Sequence, residues 1–79
     1  LSQREAVLTE VLLRAGLNTP MPRTTLLLKV WGPDNDIEDG NLDNYIHFLR
    51  RRFRQLESTL QIKTLRGTGY CLTKAGERN

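Results

Sequence analysis

The sequence predicts a small α+β domain, three helices followed by a C-terminal β-hairpin. Two stretches carry this reading. In residues 41–60, Leu42, Ile46, Leu49, Phe53, Leu56 and Leu60 recur at alternating steps of four and three. That spacing draws one apolar stripe down a helix. In residues 61–73, two strand-like runs flank Gly67-Thr68-Gly69, the pattern of a tight hairpin. A chain of 79 residues forms one domain with a modest core.

Each element has its own local reasons. Ser2-Gln3-Arg4-Glu5 reads as a capping box, with Leu1 and Ala6 at the positions of a hydrophobic staple. Leu8, Val11, Leu12 and Ala15 then share a face, and Gly16 can take the left-handed conformation that ends a helix. The first helix is therefore placed at residues 3–15. Pro20 and Pro22 make Leu17 to Pro22 a connector, with room for a short extended piece around Thr19 to Met21. Pro22 suits the start of a second helix, Arg23 to Trp31, because its missing N–H costs nothing there. Leu27, Val30 and Trp31 form its inner face, with Leu26 or Leu28 beside them, and Gly32-Pro33 stops it. Pro33 to Gly40 reads as an acidic loop.

Asn41 is a fair N-cap for the third helix, and Asp43 suits its first turn. That helix is expected to end near Leu56 or Glu57, with Leu60 packing from the connector. The strands follow at Gln61 to Arg66 and Tyr70 to Thr73, with Arg66 near the hairpin tip. Lys74 to Asn79 reads as a polar tail that frays.

Charge is uneven along the chain. Residues 1–40 hold four basic and six acidic side chains, net −2; residues 41–79 hold eight basic and three acidic, net +5. A basic C-terminal half suits a polyanion. The lone cysteine, Cys71, rules out an internal disulfide and fits a reducing compartment. The longest apolar runs, Val11-Leu12-Leu13 and Leu26-Leu27-Leu28, are too short to span a bilayer, and the N-terminus has no signal-peptide pattern. Leu1 is not a plausible native start, so the expectation is a piece of a longer protein.

Catalytic patterns are missing. His47, the single histidine, has only Asp43 as a carboxylate at helical spacing, and Cys71 has no base beside it in sequence. Gly67-Thr68-Gly69 lacks the lysine and helix of a phosphate loop. The acidic loop does not space like an EF-hand, because Tyr45 stands where the twelfth-position glutamate would be. The expectation is a non-enzyme with no cofactor and no metal.

Three helices and a hairpin, with the basic amphipathic helix just before the hairpin, make a winged helix-turn-helix. The residues themselves then become recognisable. Lys29-Val30-Trp31-Gly32, Leu42-Asp43-Asn44-Tyr45-Ile46 through Leu49-Arg50-Arg51, and Ile62-Lys63-Thr64-Leu65-Arg66-Gly67-Thr68-Gly69-Tyr70 resemble the OmpR/PhoB-type DNA-binding domain, the effector of many bacterial two-component response regulators. The resemblance covers Leu1 to Leu72. It implies a cytoplasmic transcription regulator governed by a phosphorelay through a receiver domain absent from this chain. The small sheet that precedes the first helix in the family is absent too. The family pairs on direct-repeat DNA sites, which implies a dimer in the full-length protein. Its loop between the second and third helices contacts RNA polymerase, which places Asp34, Asn35, Asp36, Glu38 and Asp39 on that side.

On the third helix, Asn44, Phe48, Arg51 and Gln55 fall opposite the apolar stripe, and Arg50, Arg52 and Arg54 lie on the flanks. Asn44 can bond adenine N6 and N7, Arg51 can read guanine or grip a phosphate, and His47 can reach a base or a phosphate. Family members commonly carry Arg or Lys where Phe48 stands, and Val or a similar residue where Asn44 stands. A phenylalanine there can pack on a thymine methyl, fold back onto Trp31 or the loop, or contact another protein. Arg50 and Arg52 suit phosphates, and Asn41 lies beside the same backbone. The resemblance implies backbone contacts from Trp31, Tyr45 and Thr64, with Arg66 entering the minor groove. The alternative is a winged helix that binds protein without DNA readout, for which the acidic loop and Phe48 would serve.

Overall fold

The computed structural model describes residues 3–33 and 39–75, with side chains from residue 41 onward in the second stretch. Three helices pack on one side of a small antiparallel sheet. The elements are α1 (Gln3–Ala15), β1 (Met21–Pro22), α2 (Arg23–Trp31), α3 (Asp39–Gln55), β2 (Leu60–Leu65) and β3 (Gly69–Lys74). The winged helix-turn-helix expected from the sequence is present.

Both early helices keep their expected bounds, and glycine ends both. Gly16 sits at φ 96° and donates to the carbonyls of Leu12 and Leu13; Gly32 sits at φ 91° and donates to Leu28 O at 2.8 Å. In α1, Leu8 and Leu12 are fully buried. The capping box and staple proposed for its start involve Ser2 and Leu1, which lie outside the described residues. In α2, Leu26 and Val30 are buried, Leu27 and Trp31 pack partly against the core, and Leu28 points outward.

The third helix departs from expectation at both ends. It begins at Asp39, so Asn41 lies in its first turn and is not its N-cap. It stops at Gln55 in a Schellman arrangement: Glu57 takes φ 52° and donates to Arg54 O, and Ser58 N–H donates to Phe53 O at 2.9 Å. The chain therefore leaves the helix before Leu56 can join the stripe. Leu56 is 68% exposed, contrary to its expected core position. Leu60 opens β2 and packs partly on the core.

The sheet has three strands in the order β1-β3-β2. β2 and β3 form the expected hairpin, paired from Leu60↔Lys74 to Leu65↔Gly69. The extended piece in the connector falls at Met21–Pro22 and pairs with the far edge of β3, Met21↔Tyr70 and Pro22↔Gly69. The two hairpin glycines serve different ends. Gly67, at φ 79°, occupies the third position of a turn closed by Thr68 N–H to Leu65 O at 2.9 Å, where a positive φ marks type II. Gly69 makes room for β1: a Cβ there would collide with the Met21 carbonyl.

Leu8, Leu12, Leu26, Leu42, Ile46, Leu49 and Leu72 lose almost all exposure, and Met21, Val30, Ile62 and Tyr70 complete the core. No helix among the described residues is long and apolar enough to cross a membrane. Gly69→Ala is expected to strip β1 from the sheet and lower unfolding stability by about 2 kcal/mol, a typical overpacking cost. Gly67→Ala strains only the turn and should cost less; urea denaturation of both variants checks the order.

Candidate nucleic-acid interface

The side of α3 opposite the core is open. Leu42, Ile46 and Leu49 are buried, whereas Asn41, Asn44, His47, Phe48, Arg51 and Gln55 are exposed. A period of 3.6 residues leaves no other division of these side chains. Phe48 is 47% exposed, and its ring tilts at 59° against His47, centroids 5.8 Å apart. Beside it, Phe48, Arg51, Arg52 and Gln55 line a shallow recess that reaches Glu5 on α1.

Trp31 has other partners than Phe48. Its ring meets Tyr45 edge-on at 5.3 Å, and the Arg4 guanidinium lies over it at 5.6 Å. Arg4 also donates to Val30 O at 2.6 Å, tying α1 to the end of α2. Trp31 and Tyr45 are both half-buried, so each combines a packing surface with an open edge.

Two polar ties join α3 to the sheet. Arg50 donates through Nε and Nη2 to Ile62 O, at 3.0 and 2.7 Å, and through Nη2 to Thr64 Oγ1 at 2.6 Å. Its guanidinium also lies 5.8 Å over the Tyr70 ring. These bonds direct Arg50 to the wing strand β2.

The second tie centres on Asp43. Arg23 grips Asp43 with both terminal nitrogens, Nη1 to Oδ1 at 2.6 Å and Nη2 to Oδ2 at 3.3 Å, and the Tyr70 hydroxyl donates to the same Oδ1. One carboxylate thus joins the start of α2, the second turn of α3 and the core of β3. The charge-assisted bonds from Arg23, then the Tyr70 hydroxyl, hold the Asp43 carboxyl below its ordinary range. The Arg23 guanidinium is raised in turn by its bond to Asp43. Burial, then the bond to Asp43, pushes the Tyr70 phenol up. No sequence periodicity links positions 23, 43 and 70; only the folded topology brings them together.

The remaining candidates occupy separate places. Arg52 lies 4.0 Å from Glu5 and is half-exposed. Arg66 stands exposed in the hairpin turn, two residues beyond Thr64, which accepts the Arg50 bond. Asp34, Asn35, Asp36 and Glu38 lie outside the described residues, and Asp39 opens α3.

Comparison with known proteins gives a consistent picture. The family described as "Transcriptional regulatory protein, C terminal" matches residues 1–72. The transcriptional regulatory protein DltR of Streptococcus agalactiae is 39% identical over 72 residues, 91% of this chain and 32% of that protein. YxdJ of Bacillus subtilis is 40% identical over 72 residues, with 91% of this chain and 31% of that protein covered. The chain thus spans about a third of the curated relatives it matches. The crystal structure of the DNA-binding domain of Bacillus subtilis CssR superposes with a TM-score of 0.79 at 30% identity, over 92% of this chain and 77% of that one. The DNA-binding domain of the response regulator AdeR, solved in complex with an intercistronic region, has the same fold, with a TM-score of 0.78 at 17% identity over 94% of this chain and 72% of that one.

The carboxylate at position 43 should register in the pH dependence of stability. Its folded-state pKa is depressed, so its contribution is fully present above the unfolded carboxylate range, about 4, and is lost as pH falls through the folded value. At pH 7, Asp43→Asn should cost about 1 kcal/mol, discounted for the half-exposed carboxylate. The gap to the unsubstituted chain should close as the pH is lowered below 4 in a series of urea melts.

Proposed function

The chain belongs to the OmpR/PhoB-type family of response-regulator DNA-binding domains, and from that premise we propose that α3 enters the major groove of duplex DNA and reads sequence there. The observation that carries this reading is the division of α3. One side is anchored in the core, and the other presents Asn44, His47, Phe48 and Arg51 together. An α-helix fits the major groove, and base edges there carry a pattern unique to each pair. Asn44 offers both partners that adenine N6 and N7 require, and Arg51 offers the fork that suits guanine O6 and N7.

Around that centre, Asn41, Trp31, Tyr45, Arg52 and Thr64 are assigned to the sugar-phosphate backbone, and Arg66 to the minor groove, where a guanidinium suits the negative potential. Arg50 is reassigned. Its bonds to Ile62 and Thr64 make it the brace that sets the wing against the reading helix. Phosphate contacts position the domain, and base contacts specify the site.

The parent is a longer cytoplasmic regulator in which a phosphorylated receiver domain controls this effector. Two copies occupy direct-repeat half-sites, and the segment between α2 and α3 faces RNA polymerase. The short span of the chain against its relatives supports a longer parent, and the other assignments follow from the family resemblance alone. A protein-binding module without DNA readout is not favoured by the family match.

Two variants separate the roles. Asn44→Ala should change the order of preference among duplexes and cost about 1–3 kcal/mol on the preferred one. Arg52→Ala should weaken all duplexes alike and reduce the slope of log affinity against log salt by about one. Fluorescence anisotropy across a duplex panel and a salt series reads both. Absence of binding to any duplex at low salt would refute the DNA reading.

A further inference from the structure

We propose that Phe48 reads the C5-methyl group of a pyrimidine, so that this chain discriminates methylated from unmethylated C5 positions in the major groove. The inference rests on the groove-facing orientation of α3 proposed above and goes beyond it to the ligand group and its modification state. Exposure alone would carry nothing, because single exposed apolar side chains are common. Three observations set Phe48 apart.

The first is where the ring does not go. Trp31, the aromatic neighbour it could have folded onto, is engaged by Tyr45 at 5.3 Å and by Arg4 at 5.6 Å. Phe48 stays 47% exposed at the edge of the recess shared with Arg51, Arg52 and Gln55, its ring 5.8 Å from that of His47. The second is its place between two polar readers. Asn44 lies one turn before it and Arg51 just under one turn after it, all three exposed. At about 1.5 Å of rise per residue, Asn44 and Phe48 stand about 6 Å apart along the axis, and Phe48 and Arg51 about 4.5 Å. Against a base rise of about 3.4 Å, these are steps of roughly two and just over one base.

The third is chemical. A phenyl ring brings no hydrogen-bonding atom to a groove edge made of donors and acceptors. The apolar group that a standard base pair places there is the thymine methyl. In 5-methylcytosine the same methyl occupies the same carbon. The ring therefore recognises the methyl and ignores the exocyclic group beside it, a selectivity that an Arg or Lys at this position would lack. Moving one methyl from water to apolar contact corresponds to about fourfold in affinity.

The test begins by selecting bound duplexes from a random pool with this chain. Each thymine of the enriched site is then replaced singly by deoxyuracil, which removes only the methyl. One position should weaken binding about fourfold, and that position should respond equally when 5-methylcytosine is compared with cytosine there. In Phe48→Ala both differences should vanish, while Asn44→Ala should retain them. Thermal melting should be the same for Phe48→Ala and the unsubstituted chain, because the ring is not part of the core. An enriched site with no methyl-sensitive position, or a methyl effect that survives in Phe48→Ala, overturns the proposal and leaves DNA binding standing. A pool in which no duplex is enriched overturns both.

Discussion

Leu42, Ile46 and Leu49 leave water together along one row of α3, and the orientation of everything else on that helix follows from it. Burying such a side chain stabilises a fold by about 1.5–3 kcal/mol, so the row outweighs any single polar contact on the molecule. A rotation of α3 by one residue, about 100°, would expose this row and bury Asp43 and Arg50, or Asn41 and Phe48. The outward set of Asn44, His47, Phe48 and Arg51 is therefore a consequence of the apolar row. The outward face and the anchor are separated by the helical period, which lets the outer face vary without loss of the anchor.

The apolar row fixes rotation about the helix axis but leaves the angle to the wing less constrained. Directional bonds supply that constraint. Arg50 spans from α3 to β2, and the Asp43 carboxylate collects Arg23 and Tyr70 from α2 and β3. Each tie is partly exposed, so its contribution to stability is small beside that of the core. Their effect is geometric. They hold the hairpin bearing Arg66 at a set place relative to α3, and pairing of β1 with β3 at Gly69 steadies the same strand from its other edge. Pre-organised groups lose less freedom on binding.

Much of this was legible in the sequence, for local reasons. Glycines with no Cβ marked the ends of α1 and α2, a periodic run marked α3, and the glycine pair marked the hairpin turn. The outward position of Asn44, Phe48 and Arg51 followed from the same periodicity. What escaped was set by distance along the chain. Leu56 fits the apolar spacing, yet the helix ends first because Glu57 takes the left-handed conformation, which glycine adopts far more readily. Asn41 has the chemistry of a cap, but α3 starts two residues earlier. The bond from Arg50 to the carbonyl of Ile62 spans twelve positions and has no local signature either. The Arg23–Asp43–Tyr70 node joins residues 20 and 27 positions apart, beyond any local pattern.

The central claim is that the outward side of α3, together with the hairpin turn, is the surface that meets DNA. Backbone amide chemical shifts recorded while duplex DNA is titrated into the labelled chain test it most directly. The largest changes should fall on residues 41–51 and 66–68, with α1 and the exposed side of α2 around Leu28 little affected. Changes centred on α1 or around Leu28, with residues 44–51 unmoved, would contradict it.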